Sequence, residues 1–138
     1  MKLDPVDARS RFRSARVATL ATADAAGVPH LVPVTFAVEG DTVVFAIDDK
    51  PKSTLNLRRL RNITENPRVS LLVDHYEDDW RRLWWVRADG TAAVHDDGAD
   101  RLPAIRALTA RYPQYEDSPP RGPVVVIAVS AWSGWSAS

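Results

Sequence analysis

Leu57-Arg58-Arg59-Leu60-Arg61-Asn62-Ile63-Thr64-Glu65-Asn66-Pro67-Arg68-Val69-Ser70-Leu71-Leu72-Val73-Asp74 is the stretch on which the fold turns. Leu57, Leu60 and Ile63 recur at the three-residue spacing of a buried helical stripe. Ser53 can cap that helix and Asn66-Pro67 stops it. Residues 68–74 then read as the firmest strand of the chain, so one helix passes abruptly into one buried strand. Upstream, Asp4-Pro5 predicts a helix to about Ser14, with Val6, Phe12 and Ala15 on its inner face. Strands are expected over 17–22, 29–38 and 42–47, with turns at Asp24-Ala25-Ala26-Gly27 and Glu39-Gly40-Asp41. Such close turn signals are those of an antiparallel meander.

Downstream, a polar loop over 75–82 leads into a strand over 83–88. Asp89-Gly90 turns or bulges the chain, and the strand continues over 91–95. A helix is expected over 98–111, with Leu102, Ile105 and Leu108 inward, then a proline-rich connector over 112–123 and a last buried strand over 124–129. The sum is an α+β chain with an antiparallel barrel at its centre and a few peripheral helices. With 138 residues it forms a single domain, 1–138.

Composition narrows the function. The formal net charge is +0, so no global field points to nucleic acid or an anionic membrane, and an anion site must be local. The absence of cysteine removes disulfides, thiolate metal sites and thiol nucleophiles. No apolar run approaches the roughly 20 residues that span a bilayer, and the charged N-terminus reads as neither signal peptide nor anchor, so a cytoplasmic location is expected. Lysine occurs only at Lys2, Lys50 and Lys52 among many arginines, in keeping with a GC-rich bacterial source. His30, His75 and His95 are scattered without metal-ligand spacing, and no metal is expected. Neither a nucleophile elbow nor a glycine-rich phosphate loop is present, and Asp78-Asp79 and Asp96-Asp97 read as loop and cap residues. Hard chemistry, if there is any, must come from a cofactor.

Lys50 and Lys52 precede the helix begun by Ser53, and Arg58, Arg59 and Arg61 follow in its later turns. Helix N-termini favour anions, and helical side chains lean toward the N-terminus, so Arg58 and Arg59 can reach back to a phosphate placed there. Spacing alone leaves a solvated basic face as the commoner outcome. Five tryptophans are the second oddity. Trp84 and Trp85 are adjacent on an expected strand and must point to opposite sides of the sheet. One suits the core and the other an interface or a ring system; Trp132 and Trp135 enrich the tail in the same way.

These residues resemble a known superfamily. Val17-Ala18-Thr19-Leu20-Ala21-Thr22 and Gly27-Val28-Pro29-His30-Leu31-Val32-Pro33-Val34 are similar to the opening hairpin of the pyridoxamine 5′-phosphate oxidase-like, flavin-binding split barrels. Leu57-Arg58-Arg59 and Ile63 to Leu72 are similar to that superfamily's phosphate-gripping helix and following strand. Asp79-Trp80, Leu83 to Gly90 and the Trp132-Ser133-Gly134-Trp135 ending resemble its actinobacterial branch of F420-dependent enzymes. The resemblance implies a homodimer with a cofactor at the subunit interface: the deazaflavin F420, or alternatively FMN. It implies that Arg58 and Arg59 hold the cofactor phosphate, that Val32, Pro33 and Val34 run beside the ring, and that Ile47 and Asp48 lie opposite. Trp85 stands where flavin oxidases of the superfamily place a polar residue near the ring, and the tail lacks the arginine that handles pyridoxal phosphate. Lys50 and Lys52 would suit an acidic cofactor tail, and Trp85 and Trp132 join the expected cofactor-binding set. The function implied is a reductase passing hydride to a conjugated small molecule, with an FMN oxidoreductase or a non-catalytic flavin carrier as alternatives.

Overall fold

The computed structural model describes residues 1–47, 58–96 and 98–138. In chain order the elements are α1 (Pro5–Ser14), β1 (Ala18–Ala23), β2 (Pro29–Val34), β3 (Ala37–Glu39), β4 (Thr42–Ala46), α2 (Arg58–Glu65) and β5 (Arg68–His75). A 3₁₀ turn (Trp80–Arg82), β6 (Trp84–His95), α3 (Gly98–Arg111), α4 (Gln114–Asp117) and β7 (Val124–Ser136) complete the chain. The strands form one sheet in the order β2-β1-β5-β6-β7-β4-β3, and every ladder is antiparallel.

That order dictates a barrel. β2 and β3 lie at opposite edges of the sheet, yet only Thr35 and Phe36 separate them in sequence. Three Cα–Cα steps reach about 10 Å at most, so the sheet must curl until its first and last strands are neighbours. Among the described residues no ladder joins β2 to β3, which leaves the barrel split at that seam. The inward row (Leu20, Val43, Phe45, Leu71, Val86 and Ile127) is fully buried, and Phe12 of α1 plugs one end against Phe36 and Trp132. Gly90 is needed inside: a Cβ there would stand 2.4 Å from the Ala128 carbonyl oxygen. α3 covers the outside of β4 and β7, where Ala104, Ala107 and Leu108 close a second cluster with Val44 and Val124.

The antiparallel split barrel is as expected, with local corrections. Asp4 caps α1 through Asp7 N–H, and Phe12 and Ala15 face inward as expected, but Val6 is 65% exposed and Ala8 stands on the inner face in its place. The expected strand over 29–38 breaks at Thr35–Phe36, because there the chain must cross the seam. α3 buries Ala104, Ala107 and Leu108, and Leu102 points outward; small residues let the helix lie close to the sheet. The connector over 112–123 contains α4, and the last strand runs on to Ser136, so the tryptophan tail is a full sheet member. The irregularity at Asp89/Gly90 is a bulge whose extra residue is Ser130 on β7, and β6 runs straight through. The expected helix start at Ser53 and the stripe residue Leu57 lie outside the described residues.

Candidate functional site

Strand alternation sets which side chains face outward on β2, β1, β5, β6 and β7. Pro33, Thr19, Leu72, Arg87 and Ser133 form one cross-strand row by register, and Leu31, Ala21, Ser70 and Asp89 form the next. Asp74, Trp85 and Trp135 form a third. Much of this face is apolar and open: Leu31, Leu72, Trp85 and Trp135 are 65, 40, 36 and 39% exposed. Apart from Pro33, Ser133 and Asp89, the residues of these rows line, with Leu83, Trp84, Tyr76 and His75, an open groove of about 680 Å³.

The groove has an ordered polar rim. His75 is bonded through Nε2 to Glu77, and Arg82 Nε donates to the other Glu77 oxygen at 3.0 Å. The bond to His75, then the charges of Arg82 and His75, hold the Glu77 carboxyl below the usual carboxylate range. The His75 ring stacks on Trp84 at 6.2 Å, and the Arg11 guanidinium lies 5.5 Å from the same indole. On the open face Asp89 accepts from Ser70 Oγ at 2.5 Å and from Arg87 Nε at 3.0 Å.

A second, smaller cavity of about 250 Å³ lies at the seam, walled by Val17, Pro33, Val34, Thr35, Ala46 and Arg59. Functional pockets run about 300–1,000 Å³, so this cavity alone is small. It adjoins the groove, because Pro33 of the cavity and Thr19 of the groove are direct cross-strand partners. Such partners stand about 4.5–5.5 Å apart, so the cavity, with Arg59 in its wall, lies beside the Thr19 edge of the groove.

The expected site residues therefore divide. Pro33, Val34 and Arg59 come together in the seam cavity, and Trp85 lines the adjoining groove. Arg58 is exposed on the same helix as Arg59. Val32 and Ile47 face the barrel interior, Ile47 fully buried. Trp132 also faces inward, edge-on to Phe12, and its Nε1 donates to Asp41 at 2.9 Å. These three line neither cavity. Asp48, Lys50 and Lys52 lie outside the described residues. Trp85 faces the groove, whereas Trp84 packs against the core from the other side of β6 and reaches only the groove's end.

Val17, Thr35 and Ala46 were not anticipated at the cavity, nor Leu31, Leu72 and Trp135 in the groove. Leu71-Leu72 held the signal for part of this, since two adjacent leucines on a strand cannot both enter one core. Among the described residues there is no group of three His, Asp or Glu side chains able to hold a metal ion. No described helix is long and apolar enough to cross a membrane.

Residues 6–136 match the family model described as pyridoxamine 5′-phosphate oxidase. No curated protein matches the chain. Among solved structures the fold is similar to that of a FAD-binding protein from Mesorhizobium loti (TM-score 0.74, 21% identity, covering 97% of this chain and 93% of that one). It is also similar to a conserved hypothetical protein from Mycobacterium tuberculosis (TM-score 0.77, 20% identity, 98% and 86% covered). The heme storage protein HutZ from Vibrio cholerae has the same fold (TM-score 0.70, 20% identity, 97% and 95% covered).

Proposed function

We propose a flavin-type redox function for this chain, which belongs to the pyridoxamine 5′-phosphate oxidase family by the match over residues 6–136. The observation that carries this reading is the joining of Arg59, Pro33 and Val34 in one seam cavity beside an aromatic groove. A phosphorylated ring cofactor needs both parts: a guanidinium for the phosphate and a flat apolar wall for the ring. Pro33, Val34, Val17 and Ala46 supply that wall, Arg59 supplies the cation, and Arg58 is exposed next to it on α2. The residues present fit such a group. A bound flavin or deazaflavin would supply hydride transfer; the protein's share is to hold the phosphate, orient the ring and exclude water.

The open face completes the arrangement when two copies pair through it. Four large apolar side chains in adjoining rows favour burial, each worth roughly half of the 1.5–3 kcal/mol of a side chain taken from full exposure to full burial. A homodimer formed there places the cofactor at the subunit interface, with Trp85 beside the ring. Within this reading the cofactor is F420 and the activity is reduction of a conjugated small molecule. The deazaflavin's acidic tail suits Lys50 and Lys52, and the tail of this chain has no arginine for a pyridoxal phosphate. Tryptophan-fluorescence titration with F420 and with FMN tests it, followed by turnover of reduced F420 against quinones, enones and tetrapyrroles. Saturable quenching by F420 with turnover is the expected result. Preference for FMN selects the FMN oxidoreductase, binding without turnover selects a carrier, and binding of neither refutes the cofactor site.

A further inference from the structure

We infer that Arg111 and Tyr112, at the end of α3, are positioning residues that set the walls of the seam cavity; this rests on the cofactor reading above. Neither side chain lines that cavity. Each instead grips the backbone beside it. The Tyr112 hydroxyl accepts from Phe36 N–H at 3.0 Å and donates to the Phe36 carbonyl at 2.7 Å. Arg111 Nη1 donates to the same carbonyl at 2.9 Å, and Nη2 donates to the Ala15 carbonyl. The guanidinium also lies 4.9 Å from the Phe36 ring and 5.4 Å from the Tyr112 ring.

The chain positions gripped are the informative part. Phe36 follows Thr35, a cavity wall, and Ala15 lies two residues before Val17, another wall. Thr35–Phe36 also carries the chain across the split, where no ladder among the described residues fixes the backbone. At a seam that no described ladder closes, one arginine fork and one phenol therefore hold the crossing backbone. Arginine suits this role because its planar fork can serve two carbonyls at once, which an ammonium cannot do in the same geometry. A cavity built at an otherwise unpaired seam needs such a clamp if its walls are to meet a flat ring in fixed positions.

The test uses the full chain with Tyr112→Phe and Arg111→Lys. Amide exchange at Phe36 is followed by NMR without cofactor, and F420 and FMN affinities are measured alongside melting temperatures. The expected result is faster exchange at Phe36 in Tyr112→Phe and affinity for the preferred cofactor about tenfold weaker, the equivalent of one hydrogen bond. The melting temperature should fall by only a few degrees, and Arg111→Lys should weaken binding while keeping its charge. Unchanged exchange at Phe36 overturns the clamp itself. Faster exchange with unchanged affinity overturns its role in the cavity. Failure of the unaltered protein to bind either cofactor overturns the functional reading and the positioning role with it, and is told apart by the exchange data, which need no ligand.

Discussion

The two halves of the sheet are finished differently. Over β4 and β7, α3 lays Ala104, Ala107 and Leu108 against the sheet and leaves no large apolar surface between them. Over β2, β1, β5 and β6 no described element takes that place, and Leu31, Leu72 and Trp85 stay in contact with solvent. Both outer faces carry apolar residues, so the difference is not one of composition. One face is a core that the chain closes for itself. The other is left open by every described element, and an open apolar face of this kind is the usual mark of a binding surface.

The comparison breaks most severely at Leu108, which is fully buried in the covered half. Leu108→Ala is expected to cost about 2–5 kcal/mol in urea unfolding, through a cavity between α3 and the sheet. The matching change on the open face, Leu72→Asp, is expected to move the stability of the isolated chain by only about 0.5 kcal/mol. Its effect belongs to assembly: the mass in sedimentation equilibrium should fall from dimer to monomer, and the melting temperature should cease to depend on protein concentration. Equal loss of stability in the two variants would erase the distinction between the faces.

A smaller effect sharpens the boundary between barrel interior and open face. Asp41 accepts from Trp132 Nε1 at 2.9 Å and from Arg9 Nη1 at 3.0 Å, and those bonds, Trp132 first, hold its carboxyl below the usual range. A lowered folded value means the stabilisation is complete above the ordinary carboxylate range and fades as pH falls through the lowered value. Asp41→Asn should flatten the acid side of the stability profile slightly and shift Trp132 emission. Fluorescence-monitored unfolding across the acid range reads both.

Much of the fold could be read from the chain because local signals agreed with the tertiary result. Asp4-Pro5 starts α1, Asn66-Pro67 separates α2 from β5, and the helix expected over 98–111 is α3 residue for residue. The seam was not legible. Residues 29–38 alternate well enough for one strand, and only the placement of β2 and β3 at opposite sheet edges forces the break. Trp132, placed in an aromatic tail, looks from sequence like a cofactor residue. It points inward because it faces Ala88 across the ladder, on the core side of β6. Local sequence predicts alternation but not its phase, and the Ser130 bulge resets that phase along β7. Arg59 and Pro33, far apart in sequence, meet only because the sheet curls; a resemblance could suggest the pair, whereas spacing could not.

The central claim, a phosphorylated ring cofactor anchored by α2 and lying along the seam, is tested most directly by calorimetric titration of the unaltered protein and of Arg58→Ala/Arg59→Ala with F420 and FMN. The account predicts saturable binding that the double variant weakens by about 2–5 kcal/mol, with the fold intact by circular dichroism. Equal affinity in the two proteins, or no binding by the unaltered one, would contradict it.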